Sequence, residues 1–145
     1  MRFAASWIFA LVIIGWALGV NNASLAVDNA QQFDGKWNVV ISCDQASDGA
    51  LAYKWQFTAE IRKGSLLGQF HDADTDSSGT LSGRVQANGD AVLRMVGKTG
   101  DPAYNVGRAR SGAPFHYTAN THFADRSGSG KRNELRKCDL EFSKS

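Results

Sequence analysis

The two cysteines of this chain each sit in a run that alternates apolar and polar residues, and the two runs lie at opposite ends of the sequence. In GKWNVVISC, Trp37, Val39, Ile41 and Cys43 share one face, and Asn38, Val40 and Ser42 take the other. In CDLEFS, Cys138, Leu140 and Phe142 share a face, with Asp139, Glu141 and Ser143 opposite. A period of two is the mark of a half-buried β-strand. If Cys43 faces Cys138 in an antiparallel pair, Ile41 faces Leu140, Val39 faces Phe142 and Trp37 lies beside Lys144. Every apolar member of those pairs is already on an apolar face. The first strand would then pair with the last, closing an up-and-down sheet into a barrel without edges. A bridge between the two sheets of a β-sandwich is the alternative.

Whether the cysteines pair depends on compartment. Arg2 is the sole charge in residues 1–26, Trp7 to Val20 is an almost unbroken apolar run, and Ser24-Leu25-Ala26 ends it with small residues at the positions a signal peptidase reads. That pattern predicts a secretory leader cut near Ala26. The run, about 14 residues, is shorter than the roughly 20 of a spanning helix, an uncleaved anchor being the alternative. Export places Cys43 and Cys138 in an oxidising compartment, where a bridge is expected in preference to two buried thiols. It would close nearly the whole of the remaining domain, residues 27–145, and stabilise it by about 4 kcal/mol in the chain-entropy model.

The rest of that domain shows no helical period. Tyr53, Trp55, Phe57, Ala59 and Ile61 alternate with charged and polar residues, and Lys63-Gly64 turns the chain into Ser65 to Phe70. Leu81, Gly83 and Val85 share a face before ANG at 87–89, read as a type I turn with a G1 bulge. That turn pairs Gln86 with Asp90 and brings Ala91, Leu93 and Met95 inward, whereas a two-residue loop would bury Arg94. TGDP at 99–102 reads as a loop and Tyr104 to Ala109 as a short strand, either with Tyr104, Val106 and Arg108 inward or with Asn105 inward. Phe115, Tyr117, Ala119, Thr121 and Phe123 form a long strand face, and RSGSGK at 126–131 reads as a turn. The count is about eight antiparallel strands, an all-β domain.

Gly35-Lys36-Trp37 at the head of the first strand resembles the Gly-x-Trp opening of lipocalins and related barrels, avidin-like proteins included. In that group the tryptophan plugs one end of the barrel and a basic residue of the last strand packs across it. Here Lys144 is the basic residue beside Trp37, and Arg136 falls at the far end. The wider pattern, FDGKW…C, NGDA, YNVGRA, a long aromatic strand and CDLEF, is similar to small exported bacterial barrel proteins of largely unknown function, found in soil and root-associated proteobacteria. The resemblance implies a fold more than an activity.

Motifs for catalysis are missing from the sequence: no Gly-x-Ser-x-Gly, no Walker loop and no His-Glu-x-x-His. Asp72, Asp74 and Asp76 have the one-three-five spacing of a calcium loop, but Ser77 and Gly83 stand where that loop needs Gly and Glu. His116 and His122 share a face yet sit roughly 20 Å apart along a strand, too far for one metal. Neither a metal nor a cofactor is expected. The formal charge of +2 gives no signature of nucleic-acid binding. Past residue 104, eight basic residues stand against four acidic ones.

Two functions follow as expectations. The first is an exported, monomeric, non-enzymatic binder of a small ligand, lipocalin-like or avidin-like, periplasmic or secreted. Tyr53, Trp55, Tyr104, Arg108 and Tyr117 are its candidate contacts. The alternative is an envelope or secreted accessory factor, with a core filled by its eight large rings, that meets a protein partner (in host association, for instance) through a basic face of Arg126, Lys131, Arg132, Arg136 and Lys137. An enzyme assembled from scattered residues at the barrel mouth is a third. Neither leading reading requires nucleic acid or stable insertion in a membrane.

Overall fold

The computed structural model describes residues 29–145, so the leader read over residues 1–26 lies outside the described residues. A 3-10 turn, Asn29–Phe33, precedes eight strands: β1 Gly35–Cys43, β2 Tyr53–Arg62, β3 Ser65–Asp72, β4 Ser77–Val85, β5 Asp90–Lys98, β6 Pro114–Phe123, β7 Ser127–Arg132 and β8 Cys138–Lys144. Each strand pairs antiparallel with its neighbour in sequence, and β1 pairs with β8 to close the barrel. The sandwich alternative is thereby set aside.

Closure uses the expected register. Cys43 opposes Cys138, Ile41 opposes Leu140, Val39 opposes Phe142 and Trp37 opposes Lys144. The cysteines are bridged, with their Cα atoms 4.0 Å apart, near the spacing of a non-hydrogen-bonded antiparallel pair. Inward residues of every strand except β7 meet in one core, with Trp37, Val39, Ile41, Leu81, Leu93 and Leu140 among its fully buried members. The turn between β4 and β5 is also as read. Gly89 N–H donates to the Gln86 carbonyl, Gln86 pairs with Asp90, and Gly89 takes φ 93°, a left-handed conformation in which a side chain is strained.

Two elements differ from the sequence reading, and they trade places. Tyr104 to Ala109 is not a strand but two 3-10 turns, Pro102–Tyr104 and Val106–Arg108, within a long β5–β6 loop. Asp101 caps the first turn by accepting from Ala103 N–H, with Pro102 at its first position. Asn105 then donates to the carbonyls of Gly100 and Ala109, which draws the loop into a compact coil instead of a ladder. The missing strand is β7, read as a turn because SGSGKR holds no apolar residue. Its inward positions are Gly128, Gly130 and Arg132, and the glycines make room for β6. A Cβ on Gly130 would stand 2.3 Å from Thr121 Cγ2, and one on Gly128 would stand 2.9 Å from Phe123 Cδ1.

The two ends of the barrel are unlike. At the end where β1 begins, the indole N–H of Trp37 donates to the Phe33 carbonyl (2.9 Å), and the ring meets Phe123 edge-on at 5.3 Å. Lys144 lies over that indole, 5.7 Å from its ring, and donates to the Gln32 carbonyl. The Asp34 carboxylate accepts from Lys63 and Gly64 N–H, tying the entry turn to the β2–β3 hairpin. That end is sealed by packed rings.

Candidate functional site

The opposite end is built from four connections, residues 44–52, 73–76, 99–113 and 133–137, and it is open. They are laced into a continuous rim. Asp101 N–H donates to the Thr75 carbonyl, Leu51 N–H to the Ala103 carbonyl, and Gly107 N–H to the Asp48 carboxylate. The Glu134 carboxylate accepts from both N–H and hydroxyl of Thr118, each at 2.8 Å. These backbone and hydroxyl donors favour the ionised acid, and they hold Asp48 and Glu134 below the usual carboxylate range.

Arg136 joins the rim together. Only 5% exposed, it has no carboxylate within ion-pair reach among the described residues, and its partners are backbone carbonyls. Nε and Nη2 both donate to Asp44 (3.1 and 2.7 Å), Nη1 to Tyr104 (2.9 Å), and Nη2 also to Ala50 (3.1 Å) and Leu51 (2.8 Å). Two connections, 44–52 and 99–113, thus converge on a guanidinium carried by a third, and its planar fork of five donors suits the task.

Inside this rim is a cavity of about 340 Å³, at the lower end of the range for small-molecule sites. The core is therefore filled below and hollow above, and the eight rings do not occupy the whole interior. Aromatic rings line it from two sides: Tyr53 and Trp55 from β2 and, four strands round the barrel, Phe115 from β6, with Trp55 4.4 Å from Tyr53 and 6.3 Å from Phe115 between centroids. Burial raises the Tyr53 phenol above its ordinary value, so this lining stays uncharged at neutral pH. Between β2 and β6, Asp72, Thr75 and Ser77 line the β3–β4 side. The Thr75 hydroxyl donates to the Asp72 carboxylate at 2.9 Å and holds that acid low. Asp74 N–H also donates to it, so Asp72 is engaged in its own turn.

The residues singled out from sequence are distributed as follows. Tyr53, Trp55 and Tyr104 line the cavity; Tyr117 lies buried beneath it, under the Arg132 guanidinium, 4.2 Å from ring centroid to carbon. Arg108 is exposed on the outer loop. The basic group does not share a face. Arg132 and Arg136 line the cavity, Lys131 pairs with Asp139 (3.0 Å), Lys137 approaches Asp44 (3.7 Å), and Arg126 reaches the Lys144 carbonyl at the sealed end. His122 pairs with Asp90 on the outer surface, and among the described residues no three His, Cys, Asp or Glu side chains converge as a metal site.

Sequence reading missed Phe115 and Leu135 as lining residues. Leu135 is 85% exposed in a left-handed conformation (φ 63°), uncommon for a branched side chain. Its place between Glu134 and Arg136 and its isolation from any alternating run hid it. The signal for Arg132 was available: it continues the period-two face of Gly128 and Gly130, once those glycines are recognised as strand positions.

Fold and site together define a closed eight-stranded barrel with one sealed end and one lined mouth. Set against models of protein families, curated proteins and solved structures, the chain matches none of them, so the chemistry of the mouth is argued from its own residues.

Proposed function

We propose that this chain is an exported, calycin-like binding protein that holds a small molecule in the mouth of its barrel. The observation that carries the reading is the asymmetry of the ends: rings and Lys144 seal one, while aromatic residues and two arginines line a cavity at the other. A cavity of this kind, mostly apolar with a few convergent polar groups, is the usual form of a ligand site. The disulfide supports export. Outward positions of β2 are Lys54, Gln56, Thr58, Glu60 and Arg62, unlike the apolar band of a membrane barrel, which supports an aqueous setting.

A partner protein docking on the rim is the second reading. Leu135 and Leu51, 85% and 44% exposed, favour it. The basic face as such is less favoured, since its two arginines turn into the mouth.

A thermal-shift screen of small molecules against the mature protein tests the first reading. A ligand at about 100 times its Kd adds roughly 2.7 kcal/mol of stability, so a binder raises Tm clearly. Trp55→Ala is expected to remove that rise, whereas a rise that persists undiminished in Trp55→Ala places the ligand elsewhere and contradicts the reading.

A further inference from the structure

Arg132 ends β7 at the floor of the mouth, and its hydrogen-bonding is incomplete. A guanidinium carries five N–H donors. Among the described residues its one hydrogen-bond partner is the Cys138 sulfur, a weak acceptor 4.0 Å from Nη1, and Nε is buried without any partner. The nearby Glu134 carboxylate is engaged by Thr118 and makes no ion pair with it. The Tyr117 hydroxyl, in the ring beneath the guanidinium, is likewise buried and unpartnered. A buried donor without an acceptor is costly and rare, so two together mark a place where the fold supplies donors and no acceptor.

Other charges at the mouth narrow what the acceptor can be. Arg136 adds positive charge but its donors are committed to carbonyls, so it attracts an anion without orienting it. Asp72 lines the same cavity from the end of β3, four strands from β7 in the ring of eight and so on the far side. A multiply charged anion would face that carboxylate across a small cavity. One negative charge, planar and able to accept two N–H bonds side by side, fits a single guanidinium. The remainder of the lining, Tyr53, Trp55 and Phe115, offers apolar ring surface, with Trp55 held in place by Tyr53 and Phe70.

Resting on the reading of the mouth as a ligand site, we infer that the ligand is a small organic monocarboxylate with a flat, apolar body. Its carboxylate sits at Arg132 and its ring lies along Trp55. Isothermal titration of the mature, disulfide-bonded protein with 2-naphthoate and with its neutral counterpart 2-naphthamide tests this. Naphthoate is expected to bind at least tenfold more tightly. Arg132→Gln is expected to bring naphthoate down to the affinity of naphthamide, leaving naphthamide unchanged. Arg132→Lys, which keeps the charge and loses the fork, is expected to fall between, and it serves alone if the glutamine variant does not fold. Equal affinity of both probes for the unaltered protein would overturn the carboxylate assignment and leave the small-molecule site standing. Binding of neither probe would overturn both.

Discussion

At the scale of single residues, charge does unlike work at the two arginines of the mouth. Arg136 is structural: its guanidinium satisfies carbonyls of Asp44, Ala50, Leu51 and Tyr104 that lie far from it in sequence. Arg136→Gln strands several of these buried acceptors, and the expected loss is about 3 kcal/mol, read as a lower urea midpoint at unchanged slope. Arg136→Lys should restore only part of it, because an ammonium cannot fork across carbonyls that a planar guanidinium reaches together. A midpoint within error of the unaltered protein would show that the rim closes without this residue. None of this was legible in RKCDLEF, where Arg136 looks like one more surface cation. Its partners are backbone atoms of other connections, and sequence carries no trace of a contact that any residue type could supply. Trp37 is the contrary case. Register placed it at the head of an alternating run beside Lys144, and the resemblance to Gly-x-Trp barrels implied the plug.

At the scale of elements, alternation located the strands whose inward faces are large and apolar, with their registers. It failed where the inward face is small. β7 presents Gly128 and Gly130 to the interior, and the hydrophobic signal at that place in the barrel belongs to Thr121 and Phe123 of β6, which lie over them. The apparent strand at Tyr104 to Ala109 failed for another reason: its inward face was undecided, and the Asp101-Pro102 cap started a helical turn instead. The site suffered accordingly, since Arg132 could not be placed inside until β7 was a strand. Gly130→Ala puts a methyl within the space of Thr121 and 2.7 Å from the Asn120 carbonyl. Overpacking of this kind costs about 1–3 kcal/mol, so a Tm lowered by several degrees is expected. An unchanged Tm would mean that β6 and β7 are packed less tightly than described.

At the scale of the whole molecule, one end of a covalently closed barrel is packed solid and the other is held open by hydrogen-bonded loops. The loops make the mouth sensitive to acid. Asp48, Asp72 and Glu134 each titrate lower in the folded protein than in the unfolded chain, held down chiefly by the donors they accept from. A depressed folded value means that the contribution to stability is complete above the ordinary carboxylate value of about 4 and is lost as pH falls through the folded one. Tm should therefore be level near neutrality and decline below about pH 4, with a shallower decline in Glu134→Gln. A Tm independent of pH down to 2 would show that these carboxylates do not hold the rim. The central claim is that the open mouth holds a small molecule, and native mass spectrometry of protein purified gently from its native source tests it most directly. The account predicts a species heavier than the bare chain by one small organic acid, lost on mild activation and absent from Trp55→Ala and Arg132→Gln. The bare mass alone from the unaltered protein, or an adduct that both variants retain, would contradict it.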